Sequence, residues 1–136
     1  MDLITVVVVN WNRRDLLRAC LHSLASQTYP NFEVVLVDNG STDGSCEMAE
    51  REFGSRLRLQ FVRNTENLGF CAANNQGILQ AAGKVVALLN NDAEAHPQWL
   101  EKLTTAFTDE HVGMAASKIL VWEDPERIDK VGHLIY

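Results

Sequence analysis

Residues 88–92 read Leu-Leu-Asn-Asn-Asp, an apolar run that changes abruptly into two amides and a carboxylate. The apolar residues begin at Val85, and a run of this kind is typical of a buried strand. In open α/β sheets, ligands bind beyond the carboxyl ends of the strands. This segment therefore predicts both a strand of the fold and a place for chemistry.

Two earlier apolar runs end in the same way. Val6 to Val9 is followed by Asn10-Trp11-Asn12, and Val34 to Val37 is followed by Asp38-Asn39-Gly40-Ser41. The carboxyl ends of parallel strands lie along one edge of a sheet. Three strands that each end in Asn or Asp therefore predict one polar crevice.

The composition is that of an ordinary globular domain. The chain has 136 residues, of which 46% are hydrophobic and 22% charged, and this suits a single domain with its own core. The formal net charge is −6, from 12 basic and 18 acidic residues, with no basic cluster beyond Arg13-Arg14. This balance argues against nucleic acid as a partner, because binding to a phosphate backbone needs a basic face.

The cysteines and the amino terminus bear on the compartment. Cys20, Cys46 and Cys71 are widely spaced and include no Cys-x-x-Cys pair, which argues against a disulfide framework or a zinc site. The first apolar run is too short for a signal peptide or a membrane span. We therefore expect a cytoplasmic protein.

Strand and helix patterns alternate along the chain. The predicted strands are 4–9, 33–37, 57–62, 85–89 and 112–121, and the predicted helices are 15–26, 46–53, 71–82 and 97–107. This alternation predicts an α/β fold with a parallel sheet and helices on both faces. Residues 124–127 are predicted as a turn and 132–136 as the beginning of a strand. A strand that starts at the terminus suggests truncation at the carboxyl end.

The spacing of Asn90 and Asp92 indicates a metal site. Alternate residues of an extended chain project to the same side, so both side chains would face one ligand. Mg²⁺ and Mn²⁺ take oxygen ligands, commonly one or two carboxylates completed by substrate phosphates. The alternative is that Asp92 is a turn or cap residue on the way to Pro97.

Asp38 is a second candidate, because an acid that closes a buried strand can accept hydrogen bonds from a base or a ribose. The alternative is a turn acid that binds its own backbone. Gly69 is expected to supply a positive φ, and amides at the helix start near it could meet an anion. Adjacent Asn74 and Asn75 are unfavourable inside a helix, which favours an external partner for them.

Two other classes of protein remain as alternatives. One is a non-catalytic nucleotide-binding or regulatory α/β domain of receiver type, and the other is a phosphatase-like hydrolase. Both need an acid at the end of the first strand, where this chain has Asn10 and Asn12. The chain also lacks the Gly-x-Gly-x-x-Gly and Walker phosphate loops.

A set of motifs in one order resembles the family 2 glycosyltransferases. They are Val6-Val7-Val8-Val9-Asn10-Trp11-Asn12, Leu16 with Ser23-Leu24, Val35-Leu36-Val37-Asp38-Asn39-Gly40-Ser41-Thr42-Asp43, Asn67-Leu68-Gly69-Phe70, Asn74-Asn75-x-Gly77 and Leu88-Leu89-Asn90-Asn91-Asp92. The resemblance implies the GT-A fold, which is Rossmann-like, and residues 1–136 would be its nucleotide-sugar-binding part without the acceptor-binding part. It also implies transfer of a sugar from a nucleotide-diphosphate donor.

The resemblance places Asn10, Asp38 and Ser41 around the nucleoside, and Asn90-x-Asp92 where the family has an Asp-x-Asp metal motif. The predicted donor-binding residues are Asn10, Asn12, Asp38, Ser41, Asn67, Gly69, Asn74, Asn90 and Asn91, with Asp92 and Asn90 as ligands of Mg²⁺ or Mn²⁺. The family often has Arg at the position of Asn74 and Asp at the position of Asn90. This pattern resembles the rhamnosyltransferase-like subgroup of bacterial surface polysaccharides, whose usual donor is a thymidine-diphosphate sugar.

The resemblance also implies an inverting displacement onto an acceptor hydroxyl, with a catalytic base that lies beyond residue 136. We therefore expect the isolated chain to bind donor and to transfer nothing. A lipid-linked acceptor would bring the protein to the cytoplasmic face of a membrane. An uncovered sheet edge would favour self-association.

Overall fold

The computed structural model describes residues 1–130. The chain divides into two compact units, Met1–Gln98 and Trp99–Tyr136. The first unit contains three helices and a four-stranded sheet. Its elements in chain order are β1 (Ile4–Asn10), α1 (Arg14–Ala25), β2 (Phe32–Asp38), α2 (Ser45–Phe53), β3 (Leu59–Arg63), α3 (Phe70–Gln80) and β4 (Val85–Leu88).

The sheet has the strand order β3-β2-β1-β4, and every neighbouring pair is parallel. β1 and β2 lie in the middle, and the apolar residues Val6–Val8 and Val34–Val37 are fully buried. Continuous β-branched runs of this kind suit strands that are covered on both faces. The predicted α/β class with a parallel sheet is confirmed.

The helices cover both faces of this sheet. α3 packs on β1 and β2 through Ala73 and Gly77, which meet Val7 and Val37. α1 and α2 pack against each other. The first three strands follow one another across the sheet from β1 to β3, and the chain then crosses back to place β4 on the other side of β1. Because such crossovers are right-handed, α3 lies on the face of the sheet opposite to the face that α1 and α2 cover. The strand order therefore reverses between β1 and β4, which is where ligands bind in such folds.

A buried carboxylate fixes the amino end of the sheet. Glu33 Oε1 accepts hydrogen bonds from Thr5 Oγ1 at 2.7 Å and from the Ala82 backbone N–H at 3.0 Å. Glu33 Oε2 accepts from Gln60 Nε2 at 3.1 Å, and the Gly83 N–H donates to Thr5 Oγ1 at 2.9 Å. This network ties the segment between α3 and β4 to the beginning of β1 and β2.

The second unit differs from the prediction. It contains α4 (Trp99–Ala106) and an antiparallel ribbon of β5 (Ile119–Val121) and β6 (Asp124–Lys130). The prediction of a strand over 112–121 was wrong for residues 112–118, since Gly113 and the alanines after it are poor strand formers. The prediction of a turn over 124–127 was also wrong, because the turn lies at Trp122 and Glu123 and β6 begins at Asp124. Within residues 1–130 one edge of β6 is unpaired, and such an edge tolerates Pro125.

Other element ends shift by a few residues. β1 and β2 extend to Asn10 and Asp38, so the polar ends belong to the strands, and α4 begins two residues after Pro97. The strand predicted over 132–136 lies outside the described residues. Among the helices of residues 1–130, none has the length and apolar composition needed to cross a membrane.

Candidate functional site

Asp38 is the centre of the polar network at the carboxyl end of β2. Its side chain is almost completely buried, and Oδ1 accepts hydrogen bonds from Asn10 Nδ2 at 3.1 Å and Ser41 Oγ at 2.6 Å. Oδ2 accepts from the Ser41 backbone N–H at 2.8 Å. Asp38 therefore binds a nearby backbone N–H, as expected for a turn acid, which was one of the two roles predicted for it. The Cys46 thiol also lies within hydrogen-bonding reach of this carboxylate, so four donors surround Asp38.

Asn10 connects the ends of three strands. It is fully buried and lies opposite Asp38 in the β1–β2 register. Its Oδ1 accepts a hydrogen bond from Asn91 Nδ2 at 2.9 Å, which brings the segment after β4 into the network. The side chains of Asn91, Asn10, Asp38 and Ser41 thus form one hydrogen-bonded chain across β4, β1 and β2. The structure brings these predicted residues together at the switch point.

Asn12 holds the loop after β1 against the loop after β2. Its Oδ1 accepts from the Thr42 N–H at 2.8 Å, and its own N–H donates to Ser41 Oγ at 2.9 Å. Asn12 has a φ of 49°, a left-handed conformation that Asn tolerates better than most residues. Trp11 beside it, directly after β1, is 51% exposed.

An amide cluster of Asn39, Asn64 and Gln76 fixes the loop between β3 and α3. Asn64 Nδ2 donates to Asn39 Oδ1 at 2.9 Å and to Gln76 Oε1 at 2.8 Å, and Gln76 Nε2 donates back to Asn64 Oδ1 at 2.9 Å. Asn39 Nδ2 donates to the Gly69 carbonyl at 3.2 Å. This cluster was not predicted from the sequence. Asn39 carried the one available signal, as a polar residue directly after a buried strand.

The predicted residues of the loop and of α3 have local partners. Asn67 is exposed, and its Oδ1 accepts from the Gly69 N–H at 2.9 Å in a turn. Gly69 has a φ of 87°, as expected. Asn74 is buried, and its Nδ2 donates to the Phe70 carbonyl at 3.0 Å. The hydrogen bond of Asn74 is therefore internal to α3, where we had expected an external partner.

Asn90 and Asp92 lie in a turn. The Ala93 N–H donates to the Asn90 carbonyl at 3.1 Å, and both side chains are exposed. The prediction of an extended chain from Asn90 to Asp92 was therefore wrong, because Asn and Asp favour turns and the chain bends directly after β4. Asp92 Oδ2 lies 3.4 Å from Arg13 Nη1, an ion pair that spans from the loop after β1 to the turn after β4.

The metal-binding capacity of this turn rests on one carboxylate. Within residues 1–130 no three His, Cys, Asp or Glu side chains come together as a metal-binding group. Asp92 with nearby amide oxygens still fits Mg²⁺ or Mn²⁺, because these ions use few protein carboxylates and complete their shell with phosphates and water. Such an ion would depend on a bound diphosphate.

Two groups near the polar network, Asp43 and Cys20, have shifted pKa values. Partial burial acts to raise the pKa of Asp43, but hydrogen bonds from Ser45 and from the Arg14 backbone N–H outweigh it and lower the pKa below its usual value. Asp43 therefore stays ionised and joins the starts of α1 and α2. Burial, with the negative charges of Asp92 and Glu94, raises the pKa of the Cys20 thiol to about 12. Cys20 is thus a neutral thiol and a poor nucleophile at neutral pH.

A parallel sheet with polar side chains gathered at its switch point defines a Rossmann-like, ligand-binding α/β domain. The family model described as glycosyl transferase family 2 matches residues 5–134. The chain belongs to this family, as the motifs had indicated.

Curated relatives cover most of this chain but are much longer. Glycosyltransferase AglE of Haloferax volcanii is 32% identical over 121 residues, which are 88% of this chain and 40% of that protein. Validoxylamine A glucosyltransferase of Streptomyces hygroscopicus is 35% identical over 125 residues, or 89% of this chain and 28% of that protein. The chain thus spans less than half the length of these relatives.

Solved structures share the fold. TarS of S. aureus matches with a TM-score of 0.74 and 28% identity, over 79% of this chain and 20% of that one. The mannosyltransferase PcManGT of Pyrobaculum calidifontis, solved with GDP-Man and Mn²⁺, also has a TM-score of 0.74 and 28% identity, over 92% of this chain and 37% of that one. These likenesses confirm the GT-A-like fold of the described sheet.

Proposed function

We propose that residues 1–136 form the nucleotide-sugar-binding part of a glycosyltransferase domain. The observation that carries this proposal is the hydrogen-bonded chain of Asn91, Asn10, Asp38 and Ser41 at the switch point of the sheet. Receiver and phosphatase domains need an acid at the end of the first strand, and this chain has a buried amide there. The family membership supports the same conclusion.

The nucleoside would bind between the ends of β1 and β2. The Asp38 carboxylate would accept a hydrogen bond from a base or a ribose in place of the Cys46 thiol, which is a weak donor. The half-exposed Trp11 would offer an aromatic surface nearby. Asn12, Asn67, Gly69 and Asn74 are further contacts that we predict for the donor. The hydrogen bonds among the loops hold these groups in place before any ligand binds, which lowers the entropy cost of binding.

The diphosphate would lie toward the turn after β4. Asp92 is the principal protein ligand that we propose for Mg²⁺ or Mn²⁺, with Asn90 as a neutral oxygen beside it. When bound, such an ion neutralises charge on the diphosphate leaving group. The presence of GDP-Man and Mn²⁺ in the related mannosyltransferase supports a nucleotide-sugar donor and a divalent ion.

We further propose that the whole protein transfers the sugar to an acceptor hydroxyl with inversion, in the synthesis of a cell-surface polysaccharide. Such a displacement needs a base that removes the hydroxyl proton, a contribution typically worth about two to four orders of magnitude in rate. We place this base beyond residue 136, as the family resemblance implies. A position at the cytoplasmic face of the membrane and self-association remain predictions.

Thermal unfolding with nucleotides tests the proposal directly. We expect one of UDP, GDP and dTDP to stabilise the chain in the presence of MnCl₂, since a ligand at 100 times its Kd adds about 2.7 kcal/mol to the free energy of unfolding. Adenosine and inorganic phosphate serve as controls. If none of the three diphosphates shifts the midpoint at millimolar concentration, the proposed function is wrong.

Replacement of Asp92 tests the metal. We expect Asp92→Ala to abolish the effect of Mn²⁺ on diphosphate affinity, because it removes the carboxylate of the turn. Asn90→Asp adds a second charged ligand and should tighten Mn²⁺-dependent binding by about tenfold, or about 1.4 kcal/mol. Calorimetry with Mn²⁺ and with EDTA measures both effects. Asp2→Ala is the matched control, since Asp2 is an exposed acid that pairs with Lys84 at the other end of the sheet. Equal affinities of wild type in Mn²⁺ and EDTA would contradict the metal site.

A further inference from the structure

We propose that Arg13 binds the diphosphate of the nucleotide, and that its guanidinium leaves Asp92 for the phosphates when the ligand enters. This inference rests on the proposed function and adds a residue that neither the motifs nor the predicted site included. Arg13 lies directly after the loop at the end of β1, and its Nη1 is 3.4 Å from Asp92 Oδ2. Its side chain therefore bridges the two strands between which the strand order reverses.

The distribution of charge singles out this side chain. Most other cations of Met1–Gln98 contact groups other than Asp92. They are Arg14 with Asp15 and Asp43, Arg18 with Asp15 and Glu52, Arg51 with Glu52, Arg56 over the Phe53 ring, Arg63 with Glu50, and Lys84 with Asp2. Arg58 precedes β3 at the opposite end of the sheet. Arg13 is thus the cation that the fold places beside the turn after β4.

The crevice needs such a cation. Its acidic side chains are Asp38 and Asp92, and the other predicted contacts are amides, a hydroxyl and a glycine. A diphosphate brings further negative charge into this region, so its binding requires compensation. A metal ion bound to Asp92 would break the ion pair between Asp92 and Arg13. Without a diphosphate, the Arg13 guanidinium would then have no new partner.

The ion pair with Asp92 is easily exchanged. Both side chains are about half exposed, with 54% and 50% of their surfaces accessible, and ion pairs of this kind contribute little to stability. A diphosphate offers several charged oxygens to the planar guanidinium fork, which matches phosphate geometry and forms stronger, charge-assisted hydrogen bonds. The same movement frees Asp92 for a cation. The Arg13 side chain would thus exchange its contact with Asp92 for contacts with the diphosphate.

Calorimetry on single variants of the chain tests this role. The probes are whichever of UDP, GDP and dTDP binds most tightly, together with its monophosphate and its nucleoside. In EDTA, we expect Arg13→Ala to weaken diphosphate binding by about tenfold or more, the loss of a charge-assisted pair. The loss should be smaller in Mn²⁺, smaller for the monophosphate and absent for the nucleoside, and Arg13→Lys should lie between.

Arg51→Ala is the matched control, because Arg51 is also exposed and also pairs with one carboxylate at 3.4 Å. We expect it to bind like wild type. The inference is overturned if Arg13→Ala binds diphosphate as tightly as wild type, or more tightly in Mn²⁺, which would make Arg13 only a shield of Asp92. Equal weakening of nucleoside and diphosphate would also overturn it. If wild type itself binds no diphosphate, the proposed function fails as well, so the two failures are distinguishable.

Discussion

Replacing Asp38 with alanine is expected to remove nucleoside binding and to lower the free energy of unfolding by about 2–4 kcal/mol. The side chain is buried and accepts hydrogen bonds from Asn10 Nδ2, Ser41 Oγ and the Ser41 N–H. Alanine leaves these donors without their acceptor, and buried groups without partners carry the full cost of desolvation. Urea denaturation measures the loss of stability, and calorimetry with the nucleoside measures the loss of binding, which we expect to exceed a hundredfold (about 2.7 kcal/mol).

Two further variants separate the roles of this acid. Ser41→Ala removes one donor to Asp38 and should weaken binding less, because the carboxylate keeps its other partners. Asp38→Asn keeps the shape but turns one acceptor into a donor, which then faces the donors of Ser41 or Asn10. It should fall between wild type and Asp38→Ala in stability. Nucleoside affinity that survives in folded Asp38→Ala would show that Asp38 is a turn residue and nothing more.

Gly83→Ala is expected to destabilise the chain by about 3 kcal/mol or more, the upper range for overpacking. A Cβ at this position would lie 2.6 Å from the Thr5 backbone nitrogen and 2.8 Å from the Leu3 carbonyl oxygen. These are backbone atoms of β1 and of the residue before it, so they yield only if the strand moves. The added methyl also meets Thr5 Oγ1 and so disturbs the Glu33 network.

Gly113→Ala is the control, because nothing lies within 4 Å of its added Cβ and its φ is not positive. Gly77→Ala should be intermediate, since its Cβ would lie 2.3 Å from Val7 Cγ1 and a side chain adapts more readily than backbone. The midpoint of urea denaturation ranks the three variants. An unchanged midpoint for Gly83→Ala would contradict the packing at the amino end of the sheet.

The first unit was predictable because its sequence signals are local. The runs before Asn10 and Asp38 are apolar and β-branched, and their polar ends mark the edge of the sheet where the site lies. The turn at Asn90 to Asp92 carried the same signal, but the sequence did not distinguish an extended chain from a turn. In the second unit, Gly113 and the alanines after it have weak preferences, and tertiary context decides their conformation.

The amide cluster of Asn39, Asn64 and Gln76 shows why the rest of the site was not predictable. Its hydrogen bonds join residues 25 and 12 positions apart. Amides have no periodicity that predicts such contacts, and only Asn39 carried a signal, because it directly follows a buried strand. In the sequence, Asn64 and Gln76 resemble ordinary surface residues. The role that we propose for Arg13 was also not predictable, because an exposed arginine gives no sequence signal and its position beside Asp92 is known only from the fold. Side-chain networks between loops depend on the assembled fold.

The length of β1 has a consequence for protein engineering. Thr5, which belongs to the Glu33 network, and Asn10 lie five positions apart on β1, and an extended strand of that length spans roughly 16 Å. Substitutions more than about 10 Å apart that share no partners have additive effects on stability. The amino end can therefore be optimised for thermostability while the opposite end is redesigned for another nucleotide, and gains at one end can offset losses at the other.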